Sequence, residues 1–314
     1  MVPKLFLLTF FSVVSLLVAG QGNESEVVKI HLFYTNDLRG GIEEQKAFYL
    51  NPQFPPLLGG GASTATIINA VRRKAEKEGN AVLLVDGGDF FEGPPALGRN
   101  SRGAAIIEYM NQIGYDALVP GINDFKYGVE NLESLAARAK FPFVATNLFK
   151  SGTNQSPGKI APYVLLEKQN IKIGIFGIIS KSAEVNNDSA SIAGVFFAPE
   201  VAAARRAVSE LRAQGADLII ALAHLGLPYD PQEGYQLLTQ MDAQKLSKAS
   251  YVTGMELAHF VPGIDVLVSG NSRRGYNSPW EDPVHHTICV QNYANGGNLG
   301  LITLKVDRQT HALV

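Results

Sequence analysis

Ala81-Val82-Leu83-Leu84-Val85-Asp86-Gly87-Gly88-Asp89-Phe90-Phe91-Glu92-Gly93 runs from five apolar residues straight into an acidic, glycine-rich corner. The apolar run reads as a buried strand and the corner as the turn that leaves it. The same pattern recurs along the chain. Thr35-Asn36-Asp37 follows the strand candidate Val27–Tyr34, and Gly121-Ile122-Asn123-Asp124 follows Ala117–Val119. Ala223-His224 follows Leu218–Ala221, and Ser269-Gly270-Asn271-Ser272-Arg273 follows Val266–Val268. In open α/β sheets ligands sit outside the carboxyl ends of the strands. Five polar loops are therefore expected to converge on one rim.

Further strand candidates are Phe143–Ala145, Thr287–Val290 and Leu301–Val306, and helical patterns cover Ala62–Lys77, Gly103–Ile113, Val129–Ala139 and Glu200–Gln214. This alternation is the signature of a layered α/β fold. Gln169-Asn170 between Tyr163–Glu167 and Lys172–Ile178 predicts a hairpin. Phe48–Gly61 and Leu227–Lys245, both rich in turn residues, read as loop-like insertions, and no repeat is found.

The chain has 314 residues, 46% of them hydrophobic and 18% charged, enough to bury a core without disulfides or structural metals. Its formal net charge of −2 and the absence of a basic stripe give no reason to expect nucleic acid. Residues 1–20, with Lys4, an apolar run from Leu5 to Ala19 and then Gly20, have the layout of a secretory signal. An uncleaved anchor is the alternative, and no other segment is apolar enough to span a bilayer. The chain is therefore expected to be exported, periplasmic or extracellular, with no transmembrane helix after cleavage. Asn23, Asn154 and Asn187 begin glycosylation sequons, and the single cysteine, Cys289, reads as a buried thiol.

Together these motifs resemble the metallophosphoesterases of the 5'-nucleotidase type, with a calcineurin-like domain. The residues that carry the resemblance are Tyr34 to Gly40, Asp86 to Gly93, Gly114 to Ala117, Gly121 to Gly128, Phe141-Pro142-Phe143 with Asn147, and Ala223 to Gly226. It implies a β-sheet sandwich flanked by helices, with a domain over 27–309 and a tail over 310–314. It also implies a rim holding two divalent metals bridged by an aspartate, which polarise a phosphoryl oxygen and acidify an attacking water. The family pattern supplies the ligands as Asp-x-His, Gly-Asp, Gly-Asn-His-Glu, a lone His and Gly-His-x-His.

Asp37, Asp89 and His224 match that pattern, but Arg39, Ile122, Asn271 and Arg273 replace four of its seven ligands. Asn123 stands at the phosphate-stabilising histidine, and Lys126 at the aspartate that orients it. A guanidinium only donates and stays charged, so it repels a divalent cation. The resemblance would aim Arg39 and Arg273 at the first metal pocket, where an ion-pair cluster with Asp37 and Asp89 is expected instead of a metal. Asp89 and His224, with Asn271 and Asp37 as weaker candidates, are left for at most one divalent ion (Mn, Zn or Mg), and no tightly bound cofactor is expected.

The remaining histidines have structural readings. His285-His286 are adjacent and so unsuited to share a metal from a strand, His259 fits a short helix over Met255–Phe260, His31 lies within a strand and His311 in the tail. Gly59-Gly60-Gly61 reads as a loop-to-helix turn rather than an anion cradle, because the Lys-Ser/Thr ending of a phosphate loop is missing. Nucleotidases of the family carry a further domain that stacks the nucleobase, so nucleotide specificity does not carry over. The leading expectation is a phosphoesterase-fold protein with a degenerate metal site and a binding or scaffolding role. Arg39, Lys126, Arg273 and Arg274 would hold a phosphate- or carboxylate-bearing small molecule, and a protein partner is the other reading. The rival is an active phosphomonoester or nucleotide hydrolase on a remodelled one-metal site.

Overall fold

Val27–Thr35 (β1) is the spine of the first sheet. Its inward residues Val28, Ile30 and Leu32 are fully buried, as alternation on a strand demands. The structure is a computed structural model that describes residues 26–48, 50–240 and 252–314. The leader expected over 1–20, the Asn23 sequon and part of the Leu227–Lys245 segment lie outside these residues.

The other strands are β2 (Glu44–Lys46), β3 (Leu57–Gly59), β4 (Ala81–Asp86), β5 (Ala117–Leu118), β6 (Phe143–Val144), β7 (Leu148–Lys150), β8 (Ile160–Ala161), β9 (Tyr163–Lys168), β10 (Ile171–Ile179), β11 (Val195–Phe197), β12 (Leu218–His224), β13 (Val266–Ser269), β14 (Trp280–Glu281), β15 (Ile288–Gln291) and β16 (Gly300–Asp307). Two six-stranded mixed sheets result, ordered β16-β1-β4-β5-β6-β8 and β14-β15-β13-β12-β10-β9. In the first, β16 runs antiparallel to β1 and the rest are parallel. In the second, β10, β12, β13 and β15 are parallel.

Alternation along the second sheet divides its two faces. Ile173, Ile175, Leu218, Ile220 and Leu222 join the core shared with the first sheet. Phe176, Ile178, Ile219, Ala221 and Ala223 face the helices Glu200–Ala213 and Gly254–Phe260. His224 continues the phase of Leu222, so the strand that builds the inter-sheet core ends by delivering an imidazole to its rim. Helices Gly61–Lys77, Ala104–Ile113 and Val129–Arg138 carry the crossovers of the first sheet. Among the described residues no helix is long and apolar enough to cross a membrane.

The hairpin forms as expected: Gln169 and Asn170 adopt φ of 53° and 64°, the left-handed pair a tight two-residue turn needs. Both insertions hold more structure than their composition suggests. Within and beside Phe48–Gly61, β2 pairs with β3 as a ribbon. Within Leu227–Lys245, Pro231–Leu238 is a helix whose first turn is capped by Asp230 Oδ1, accepting from the amides of Gln232 and Glu233. Gly60 precedes the helix Gly61–Lys77, and the Gly61 amide is taken by the Ile42 carbonyl, consistent with a turn. Residues 310–314 fold back on β16, with Val306 bridged to Leu313 and His311 Nδ1 3.0 Å from Asp217. His285 and His286 sit in the turn before β15 rather than in a strand, and His286 pairs with Glu281 at the surface. Cys289 is buried and unpaired.

Candidate functional site

The carboxyl ends of β1, β4, β5, β12 and β13 meet at one rim, and three buried side chains converge there. Ligand atoms of Asp37, Asp89 and His224 all lie within 4.8 Å of one another. The loops bend sharply to deliver them. Asp37, Arg39, Asp89, Asn271 and Arg273 all have positive φ, between 47° and 87°. Non-glycine residues in this region carry strain that surrounding structure must hold, and such strain collects at functional sites. Gly88 is required for a different reason: a Cβ there would stand 2.7 Å from His224 Nδ1.

Each member is oriented by neighbours. His224 Nδ1–H donates to the Gly87 carbonyl at 2.7 Å, which turns Nε2 toward the acids. Nε2 lies 3.3 Å from Asp89 Oδ1 without an aligned hydrogen bond. Asp37 Oδ2 accepts from the Asn36 amide and the Asn271 backbone N–H, both at 2.9 Å, while Oδ1 is buried with no partner. Asp89 Oδ1 accepts the Asn123 N–H at 2.8 Å, and its Oδ2 accepts from the Asn123 side-chain amide. Asp124 holds the whole corner, accepting from the amides of Asp89 (2.9 Å), Phe90 (3.1 Å) and Gly121 (2.7 Å).

Charge is tightly coupled here. Burial pushes the Asp37 carboxyl up, His224 pulls it back, and Asp89 adds to the rise. Burial also disfavours the charged forms of Asp89 and His224. For this pair mutual attraction outweighs the burial, so Asp89 is held below the usual carboxylate range and His224 is raised. The cluster thus calls for a cation, which His224 supplies as an imidazolium when nothing else does. Two carboxylates and an imidazole, with Asp37 Oδ1 and His224 Nε2 both buried and lacking hydrogen-bond partners, fit one divalent ion. Among the described residues no second group of three such ligands exists.

The expected residues divide accordingly. Asp37, taken as a weak candidate, belongs to the triad with Asp89 and His224. Asn271 serves through its backbone on Asp37. Ile122 packs into the apolar core. The direct ion pairs of Arg39 and Arg273 with Asp37 and Asp89 are not formed: among the described residues, the ion-pair contact on Asp89 is with His224. The physical reason is that Asp37 Oδ2 is already satisfied by Asn36 and Asn271, and His224 occupies the cationic position. Arg39 Nε instead donates to the Glu92 carbonyl at 3.4 Å. Burial and the neighbouring Arg273 both lower the Arg39 guanidinium, so two cations share one flank of the rim, within Coulombic reach of the acids. Lys126 is exposed, and Arg274 stacks over Tyr229 at 4.1 Å, away from the cluster. Sequence reasoning missed Asn123 as the partner of Asp89 and Asp124 as the clamp.

Beneath the rim, fully buried Asp86 accepts from Thr35 Oγ1 and the Gly88 amide, and burial pushes its carboxyl up to about 7. A raised acid stabilises the fold fully below its unfolded value near 3.8, and that contribution is lost as pH rises through 7. Asp86→Asn, which mimics the protonated form, is therefore expected to raise stability at pH 8 by about 1–3 kcal/mol and to leave it nearly unchanged at pH 4. Urea unfolding at the two pH values checks this, and an equal shift at both would refute it.

No family model matches the chain. A 5'-nucleotidase of Vibrio cholerae is 26% identical over 259 residues, 81% of this chain and 42% of that protein. The human 5'-nucleotidase is 28% identical over 307 residues, 91% of this chain and 48% of that protein. The chain thus spans less than half the length of these relatives. The crystal structure of the calcineurin-like phosphoesterase YfkN from Bacillus subtilis superposes with a TM-score of 0.71 at 26% identity, over 92% of this chain and 88% of that one. Sandwich, rim and sequence agree: the chain is similar, in fold and in sequence, to the calcineurin-like phosphoesterases of the 5'-nucleotidase type.

Proposed function

We propose that this chain is an exported phosphoester-binding domain that holds one divalent cation at Asp37, Asp89 and His224 and turns phosphomonoesters over slowly at most. The observation that carries the reading is the pair of unpartnered buried atoms, Asp37 Oδ1 and His224 Nε2, aimed at the same point beside Asp89. A bound dication would supply positive charge to a phosphoryl oxygen and acidify a water. Arg39 and Arg273, neither engaged by the acids, are the donors suited to the remaining phosphate oxygens. Four substituted ligand positions argue against a second ion, and Asn123 and Lys126 argue against the family's phosphate-stabilising pair. The leader-like residues 1–20 support export.

An active hydrolase is the second reading, favoured by the orientation of His224: its Nδ1–H is held by Gly87, which turns Nε2 toward Asp37 and Asp89, the arrangement a metal-ligating histidine needs. Metal content after incubation with manganese or zinc and removal of free ion separates the possibilities. We expect one ion per chain, lost in both Asp89→Asn and His224→Ala. No ion, or two, would overturn the reading. Metal-dependent turnover of 4-nitrophenyl phosphate at rates ordinary for enzymes, about 1 per second or more, would establish the hydrolase instead.

A further inference from the structure

The tip of the β2–β3 ribbon is apolar and uncovered. Phe48, Leu50, Phe54 and Leu57 are between 57% and 82% exposed, and no other ten-residue stretch of the described residues exposes four large apolar side chains. Clustered apolar surface of this kind marks an interaction site. We propose that the tip, with the cationic side chains beside it, docks the protein on an anionic lipid bilayer. The inference goes beyond the phosphoester reading and needs no bound metal.

The tip is held in shape by its own bonds. The Ala47 N–H donates to the Pro56 carbonyl at 2.8 Å and closes the loop, and Asn51 Oδ1 accepts the amides of Gln53 (3.1 Å) and Phe54 (2.9 Å). Ala47 is buried, which pins the loop at its base. Below it, Gln45 Nε2 donates to the Asn295 carbonyl at 3.2 Å and ties the ribbon to the rim. The apolar side chains thus project from an ordered turn, so docking them costs little further ordering of the chain.

Charge decides the occupant. From Ala47 to Gly61 no residue is charged, so the tip can leave water without stranding an ion. Cationic side chains stand around it. Lys46 lies opposite Leu57 on the ribbon, and Lys46, Ala47, Leu58 and Arg273 line one cavity, which places Arg273 on the ribbon's flank. Lys46, Arg273 and Arg274 are exposed, and Arg39 is within Coulombic reach of Arg273. The acid of the ribbon, Glu44, is at the far end, opposite Gly59, with Glu43 before it. An uncharged apolar tip flanked by long basic side chains, on a chain of net charge −2, complements acyl chains topped by anionic phosphates. A second copy seated on the tip would instead bring these like charges together, which opposes association.

Vesicle flotation of the exported chain, from Gln21 on, tests the proposal. We expect binding to vesicles of equimolar phosphatidylglycerol and phosphatidylcholine, and about tenfold weaker binding to phosphatidylcholine alone. Phe54→Ser combined with Leu57→Ser, at positions too exposed to carry the fold, should weaken binding about tenfold or more. Phe54→Trp adds a reporter at the tip, remote from the single native tryptophan, Trp280, which packs against Tyr235 on the second sheet. Its emission should shift to the blue on vesicles and be quenched by lipids spin-labelled in the upper acyl chain. Absence of binding, binding unchanged in the double variant, or no quenching in the Phe54→Trp variant would overturn the proposal. A wild-type dimer in sedimentation equilibrium that the double variant dissolves would overturn it too, assigning the tip to a second copy.

Discussion

Asp124→Ala is expected to destabilise the fold by about 3–6 kcal/mol and to abolish cation binding, although the Asp124 carboxylate contacts backbone amides and none of the three ligand atoms. The carboxylate is fully buried and accepts from three backbone amides, those of Asp89, Phe90 and Gly121. Removing it leaves three N–H groups inside the protein without partners, each costing about 1–3 kcal/mol. No water-filled route offers replacements, because Gly121, Asp89 and Phe90 are themselves buried. The loss would take a large share of an ordinary domain's total stability.

The same substitution reaches the cation cluster through geometry. Asp89 sits at φ 57°, a conformation held in place partly by its amide bond to Asp124. Without that bond the corner Asp86–Asp89 has lost its tether to the turn Ile122–Phe125, and Asn123 is no longer held against the Asp89 carboxylate. Asp124→Asn keeps one acceptor oxygen but turns an NH2 group toward an N–H donor, so it should lie between wild type and alanine. Urea unfolding gives the stability and metal analysis gives the occupancy. A midpoint shift worth less than about 1 kcal/mol in the alanine variant would show that Asp124 is not the clamp.

Much of this was legible from residue types alone. The parallel strands announced themselves as short apolar runs, and the rim as the polar loops that end them, because burial and ligand binding select opposite chemistries at a strand's end. The Gln169-Asn170 turn was legible for a similar reason, since few residues accept two consecutive positive φ values. The helix Pro231–Leu238 hid behind Pro228 and Pro231, although Asp230-Pro231 is a cap followed by the one helical position that suits proline. The β2–β3 ribbon was too short and too rich in Pro and Gly nearby to leave a period.

Site chemistry was legible where a side chain meets a cation and obscure where it meets backbone. Asp124 looked like an ordinary acid because its partners are amides, which carry no sequence signal. Asn123 was weighed as a replaced histidine, whereas its amide closes on Asp89. Opposite charge placed Arg39 and Arg273 on the acids. The fold instead satisfies Asp37 with Asn36 and Asn271 and gives Asp89 to His224, which residue counting does not foresee.

The double variant Arg39→His with Arg273→His is expected to raise bound manganese from one ion per chain to two and to raise phosphomonoester turnover by about a hundredfold, the scale of one well-placed electrostatic stabiliser. Both arginines stand where the family pattern has a histidine ligand, next to Asp37 and Asp89. Replacing them removes two fixed cations from the flank of the site and adds two imidazoles to two carboxylates, a ligand set suited to a second dication. The backbone should accept the change. The two positions have φ of 51° and 59°, and histidine is among the residues found more often in that region. Neither guanidinium is ion-paired with Asp37 or Asp89, so the substitution strips no buried carboxylate of its partner. Stability without metal should therefore change little, while added manganese should raise the unfolding midpoint more than in wild type, by linkage. If the variant folds and still holds a single ion, the two arginines are not what excludes the second one. Ile122, packed in the core where an asparagine ligand is expected, would then be the residue that limits the site.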